Sequence, residues 1–389
     1  MELYIHIPFC VKKCNYCDFL SGTSTEAERS RYTKALEREL LYYAPKFKDT
    51  PVTSVFIGGG TPTFLETDKL ISIMETVRGA YNLTEDCEVT IECNPKTASL
   101  ESLYKYREAG INRISIGLQS VNEDELKALG RVHDFNDFLR TFENARKAGF
   151  NNINVDIMTA LPGQTPEKLQ KTLSSVYMLR PEHISAYDLI IEPGTPFYAK
   201  YHEDIEKREA GLVPEFLPKE ETEEALTNLV EDFLTKHGYH QYEVSNFARP
   251  DRECRHNIGY WDRVPYLGVG IGAASLIEET RWSNERDIYK YMDMLLGDEL
   301  CVPAVDVHTL SKKEAMEEFF FLGLRKKDGV SRSDFEEYFE VTVDSVYGDV
   351  IRRLKAEELL IEEAGRFYLT KRGMDVSNIV LAEFLLDEN

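Results

Sequence analysis

The chain has 389 residues, 42% of them hydrophobic and 29% charged, enough for two or three domains or for one large α/β domain with an appendage. Its formal net charge of −22 excludes the Lys- and Arg-rich surface that nonspecific nucleic-acid binding requires. No run of about 18 apolar residues occurs, and no basic stretch leading into an apolar core opens the sequence, so neither a membrane span nor a secretory leader is expected and the expected location is cytoplasmic.

Residues 1–190 alternate strand-length apolar runs with helical stretches. Strands are expected at 3–7, 52–58, 87–93, 113–119, 153–158 and 183–190, and helices at about 25–44, 67–80, 98–109, 122–129, 134–148 and 166–179. The runs read as continuously apolar, which predicts parallel strands joined by crossover helices. The fold class is α/β, as a partial (β/α) barrel or a doubly wound sheet. Both place chemistry at the C-terminal strand ends. Cys10, Cys14 and Cys17, spaced C-x3-C-x2-C, follow the first strand, and GGGTPT (58–63) follows the second. Glu92 ends the third, Gln119 the fourth, and Asp156 lies near the end of the fifth. These groups are expected to converge on one rim.

Residues 195–237 are charged, with a helical pattern at 219–237, and 239–300 mix short strands with loops. Helices at 311–327, 331–340 and 345–358, then a hairpin over 359–373, predict a C-terminal winged-helix-like domain. Residues 311–389 hold 12 Lys and Arg against 18 Asp and Glu, which points to packing or a lid rather than DNA binding. The expected division is a barrel core at 1–240, an extension at 241–305 and the C-terminal domain at 306–389.

Seven cysteines without a leader suggest a metal or cluster site rather than disulfides. Two readings of the three crowded thiols stay open. One is structural zinc with a distant fourth ligand, for which Cys254 and His256 are candidates. The other is a [4Fe–4S] cluster on three thiolates, with one iron left free of protein. No second C-x2-C pair exists, which weighs toward the cluster. Gly58, Gly59 and Gly60 read either as a tight turn or as a backbone cradle for an amino or carboxylate group.

The cysteine spacing, with Tyr16 just before the third thiol, resembles the radical S-adenosylmethionine (SAM) superfamily. GGGTPT narrows the likeness to the branch that contains oxygen-independent coproporphyrinogen III dehydrogenase, HemN. IECNP (91–95), IGLQS (116–120), GRVHD (130–134), NVDIMTALPGQT (154–165) and EPGTPF (192–197) follow in family order. The resemblance spans essentially the whole chain. It implies a partial TIM-like radical SAM barrel, a [4Fe–4S] cluster on Cys10, Cys14 and Cys17, and bound SAM. By the same resemblance Tyr4 touches SAM or substrate, Tyr16 lies near the adenine, and Gly59, Gly60 and Thr61 line the methionine part. Glu92 accepts hydrogen bonds from SAM. Gln119, Arg131 and Asp156 make polar contacts to SAM, including a second SAM in the dehydrogenase, and Ile190 completes the set.

Two departures separate the chain from the dehydrogenase. That enzyme carries a further cysteine two residues after the third, where this sequence has Phe19, and it extends before its first strand. CDF (17–19) and the HNxxYW pattern inside CRHNIGYW (254–261) instead resemble the HemW group of haem chaperones. This implies a haem cofactor and its transfer to an acceptor protein, a respiratory one among the candidates, with no nucleic acid and no stable membrane insertion. His256 then reads as an axial haem ligand, and Tyr260 and Trp261 as stacking surfaces, against the plainer reading of a packed loop. The enzymatic alternatives are the dehydrogenase reaction itself and radical SAM methyl transfer.

Overall fold

A computed structural model describes residues 1–386. Strand β1 (Glu2–Ile7) leads through helix α1 (Glu26–Phe47) to β2 (Pro51–Gly59). The unit then repeats through α2 (Thr67–Ala80), β3 (Asn82–Cys93), α3 (Leu100–Glu108), β4 (Arg113–Gln119), α4 (Glu123–Ala128), α5 (Phe135–Lys147), β5 (Ile153–Thr159), α6 (Pro166–Leu179) and β6 (His183–Asp188). These six strands pair in parallel in chain order. Local chemistry sets the helix starts: Thr25 and Asp134 close capping boxes on α1 and α5, and Thr165 with Pro166 opens α6.

Helices α7 (Pro196–Glu209) and α8 (Glu220–Lys236) follow, and β7 (His240–Gln241) and β8 (Asn246–Ala248) extend the β6 edge antiparallel. After α9 (Arg255–Trp261) the chain reaches the opposite edge, where β9 (Tyr266–Val269) pairs in parallel with β1. Strands β10 (Ala274–Ile277), β11 (Thr280–Asn284) and β12 (Ala304–Thr309) continue antiparallel, with α10 (Ile288–Leu296) before the last. The sheet has twelve strands, and among the described residues its ends, β12 and β7, do not pair with each other. It is the expected partial barrel, with β9 as an additional parallel strand.

The C-terminal domain packs α11 (Lys312–Gly323), α12 (Arg332–Phe339) and α13 (Val343–Ala356) against β13 (Val330–Ser331), β14 (Leu360–Glu363) and β15 (Arg366–Leu369). The helices α14 (Lys371–Asp375) and α15 (Ser377–Ala382) complete an apolar core built around Phe320, Phe335, Phe367 and Phe384.

The strands correct one sequence expectation. They are buried on both faces but are not apolar on both. Leu3, Ile5 and Ile7 of β1, Val55 and Ile57 of β2, and Val89 and Ile91 of β3 join the core formed with the helices. The alternate positions, Glu2, Tyr4, His6, Ser54, Glu88, Glu92, Arg113 and Asp156, face the concave side. The strand period of two therefore divides a packing face from a polar one. Other elements also differ. β3 begins at Asn82, ahead of residue 87, through polar positions. Helix α7 occupies the charged stretch before residue 219, where Thr195 caps it and Pro196 lies in its first turn, and α9 and α10 stand where short strands and loops are expected.

One buried carboxylate fastens the added edge to the parallel sheet. Glu39 of α1 accepts from the Gly270 N–H at 2.8 Å, from Asn284 Nδ2 at 2.7 Å and from the Tyr291 hydroxyl at 2.5 Å. Burial pushes its carboxyl up to about 7, against these three donors. In the unfolded chain it titrates near 4.5. The folded state therefore keeps a proton that the unfolded state has lost, and stability falls as pH rises through that window. For this group the fall is on the order of 3 kcal/mol. Urea unfolding between about pH 5 and about pH 7.5 should show decreasing stability, and Glu39→Gln should reduce the slope. An unchanged slope in the variant would reject the assignment.

Candidate functional site

The cysteine loop is clamped at its base. Cys10 N–H donates to Gly22 O at 2.8 Å, and Gly22 N–H donates to Pro8 O at 2.9 Å. Phe9, buried, sets its ring edge against Tyr32 at 5.2 Å. The end of β2 lies alongside: Gly60 N–H donates to Ile7 O and Thr61 N–H to Phe9 O, both at 2.8 Å. This approach leaves no room for side chains. A Cβ on Gly60 would sit 2.9 Å from backbone atoms of Pro8 and Phe9, and one on Gly59, at φ +113°, would sit 2.5 Å from the His6 ring. The far end of the loop is tied to α4, with Asn15 N–H and Nδ2 donating to Leu129 O and Ala128 O.

Cys10, Cys14 and Cys17 are free thiols. Thr61 Oγ1 donates to Cys10 Sγ and Arg131 Nη1 to Cys14 Sγ, each at 3.6 Å. Among the described residues no set of three or more His, Cys, Asp or Glu groups is arranged to hold a single metal ion. Cys254 does not reach the loop; it is buried and donates to Glu88 Oε1 at 3.5 Å, midway along β3. The residues fit a thiolate-held cluster: three loop thiols, no fourth, and donors aimed at two of the sulfurs.

Around them lies a cavity of about 120 Å³. All eleven of Cys10, Cys14, Cys17, Tyr16, Gly59, Gly60, Thr61, Glu92, Gln119, Arg131 and Asp156 line it. Glu92 accepts from the Gly59 N–H at 3.0 Å, and burial, reinforced by Asp156, pushes its carboxyl up to about 7. Asp156 accepts from Ser115 Oγ at 3.0 Å and Asn154 Nδ2 at 2.6 Å, and burial raises it too. Arg131 donates to Gly117 O at 2.7 Å and to Asn94 Oδ1. Burial raises the Tyr16 phenol, and the Arg131 guanidinium opposes that shift. Two close carboxyls and a fixed guanidinium can bind a zwitterion, an ammonium or ribose hydroxyls on one side and a carboxylate on the other.

Asn94 was not assigned a role by the sequence, yet its Nδ2 donates to Thr61 Oγ1 at 2.6 Å and its Oδ1 receives Arg131. It is the asparagine of IECNP, one strand end with Glu92. Tyr4 lines a second, larger cavity of about 520 Å³. The two cavities share Phe19, Gly59 and Glu92. Tyr260 and Trp261 line the larger one, together with Arg263, Arg281 and Arg286.

Two expected site residues lie elsewhere. Ile190 is 71% exposed on the loop after β6 and lines neither cavity. His256, read as a haem ligand, is buried beneath the larger cavity and does not line it. Its Nδ1 is 2.8 Å from Ser54 Oγ, its ring stacks on Phe56 at 5.2 Å, and the Tyr260 ring meets it edge-on at 4.8 Å. Burial drives its pKa down to about 3, so it is neutral. Its α9 spacing from Tyr260, one helical turn, puts it on the inner face that packs against β1 and β2.

Comparison with known proteins agrees with this arrangement. Residues 4–176 match the radical SAM superfamily model, and 310–376 match the HemN C-terminal domain model. The structure of coproporphyrinogen III oxidase (HemN) from Escherichia coli superposes with a TM-score of 0.84 over 99% of this chain and 89% of that one, at 24% identity, which establishes the shared fold. Heme chaperone HemW of Bacillus subtilis is 37% identical over 98% of both chains. Its Lactococcus lactis counterpart is 34% identical over 99% of this chain and 97% of its own. That of Escherichia coli is 32% identical over 100% and 98%. With such identity along its whole length, and with the radical SAM and HemN C-terminal regions in the same order, the chain belongs to the HemW family of the radical SAM superfamily.

Proposed function

We propose that the chain is a haem chaperone that carries a [4Fe–4S] cluster and SAM, and that it passes haem to an acceptor protein. The observation that carries this reading is the convergence of eleven separated residues on one cavity that shares a wall with a larger aromatic one. Cys10, Cys14 and Cys17 would hold the cluster, which would supply a redox-active iron open to the amino and carboxylate groups of SAM. Glu92 and Asp156 orient donors of the bound SAM, and Arg131 faces its anionic side. Tyr16, packed on the apolar cluster that includes Leu129 and Phe197, supplies an apolar surface for the adenine. The division at 1–240, 241–305 and 306–389 belongs to the same proposal. No helix among the described residues is long and apolar enough to cross a membrane, so an acceptor in a membrane would be met at the surface.

Phe19 stands where the dehydrogenase has its extra cysteine, which supports transfer of haem rather than decarboxylation of coproporphyrinogen. On one anaerobically reconstituted preparation, haemin should bind while coproporphyrinogen III with SAM and reductant yields no protoporphyrinogen. Appearance of that product would reverse the assignment. Cys14→Ala should reduce iron and sulfide from about four each per chain to near zero. Retained sulfide would exclude Cys14 as a ligand.

His256 enters the reading as support for Tyr260, whose ring it backs. His256→Ala is expected to leave the Soret position of the haemin complex unchanged while lowering stability by about 1–3 kcal/mol through the lost buried bond to Ser54. A displaced Soret band would make His256 the iron ligand.

A further inference from the structure

The larger cavity combines five aromatic rings, Tyr260, Trp261 and Tyr266 with Tyr4 and Phe19, and three guanidinium groups. In a chain with 68 acidic residues against 46 Lys and Arg, three arginines converging on one cavity run against the overall charge. They are not equally committed. Arg263 is buried and held twice, by Glu279 at 2.6 Å and by Glu318 at 3.1 Å. Among the described residues, Glu318 is the one carboxylate that holds Arg281, through a two-pronged contact of 2.5 and 3.1 Å. Arg286, exposed where it lines the cavity, makes no hydrogen bond or ion pair among the described residues.

Glu318 belongs to α11 of the C-terminal domain, and Leu322, one turn further on, also lines the cavity. The cavity is therefore a cleft between the sheet extension and that domain. A planar guanidinium receiving both oxygens of a carboxylate is the geometry in which arginine recognises a carboxylate ligand. Glu318 occupies that position on Arg281. If a ligand carboxylate takes it over, Glu318 keeps its bond to Arg263, so no buried charge is left alone.

We propose that this cavity binds a planar macrocycle bearing two carboxylates. Arg281 and Arg286 receive the carboxylates, Tyr260 and Trp261 flank the ring, and Glu318 is the resident carboxylate that the ligand displaces from Arg281. Occupancy thereby loosens one tie between β11 and α11 and is communicated to the C-terminal domain. The inference rests on the haem reading above and names the part of haem that is gripped, its two propionates.

Titration of the full-length, cluster-reconstituted protein with haemin and with haemin dimethyl ester, followed by absorbance, tests it. The wild type should prefer haemin by roughly tenfold or more, the scale of one charge-assisted carboxylate contact. Arg281→Gln with Arg286→Gln should reduce that preference to about twofold or less, and Glu318→Gln should tighten haemin several-fold without affecting the diester. Arg286→Gln alone breaks no existing contact, so it keeps the test decisive if the Arg281 variants misfold; it should cost haemin roughly threefold. Equal wild-type affinity for the two ligands, or a preference that survives the substitutions, overturns the carboxylate grip and leaves the haem reading standing. Failure to bind either ligand overturns the haem reading itself.

Discussion

Desolvation of the concave face is the constraint on which the rest of the structure depends. In β1–β4 every second residue points into a concave space that shields it from most bulk water, and many of those residues ionise. Isolated charges there would cost several kcal/mol each. The floor meets the constraint by pairing and neutrality. Arg113 is fully buried with Glu88 and Asp156 as its counter-charges, His183 bonds to Asn154 and Tyr242, and burial pushes Glu2 up to about 8, so it keeps its proton at neutral pH. The rim meets it less completely. Glu92 has one donor, and Asp156 repels it. A ligand that brings an ammonium or hydroxyl donors removes that repulsion, which is why binding belongs at the C-terminal strand ends and structural pairing at the N-terminal ends.

The same constraint explains the glycines after β2. The cysteine loop must lie flat on the strand end to bring three thiols beside Glu92 and Arg131. Backbone hydrogen bonds from Gly60 and Thr61 do this, and they require backbones to touch. A turn motif and a ligand cradle are therefore not alternatives here: the glycines are consumed by packing against the loop, and that packing forms the cavity.

The parts of this arrangement that lay close to strand ends were legible in the sequence. Strand ends in a parallel sheet converge by geometry, so Cys10, Gly59, Glu92, Gln119 and Asp156 could be grouped without knowing any contact. Arg131, which meets Cys14 across 117 positions, needed the family motif. The two faces of the strands are not separable in the sequence because hydrophobic runs such as CEVTIEC average over both, and only the position of Glu92 hints that alternate residues differ. The arginine cavity left no local signal. Arg281 and Glu318 are 37 residues apart, on different domains, and neither sits in a motif. His256 is grouped with Tyr260 and Trp261 by its motif and, one turn from Tyr260, shares that residue's helix face, but it packs behind the Tyr260 ring against Ser54 and Phe56 and does not line the cavity.

Phe19 links the two halves of the site. It is 68% exposed, stands two residues beyond Cys17, and borders both cavities. An aromatic there keeps an apolar partition between the thiol-lined cavity and the larger one, where a cysteine would add another metal ligand or redox thiol. Glu92 lies on the same partition, held by Gly59 at 3.0 Å. A ligand in the larger cavity therefore approaches a carboxylate that also lines the smaller one, and whatever factor an occupant of one cavity imposes on affinity in the other is returned in full by reciprocity.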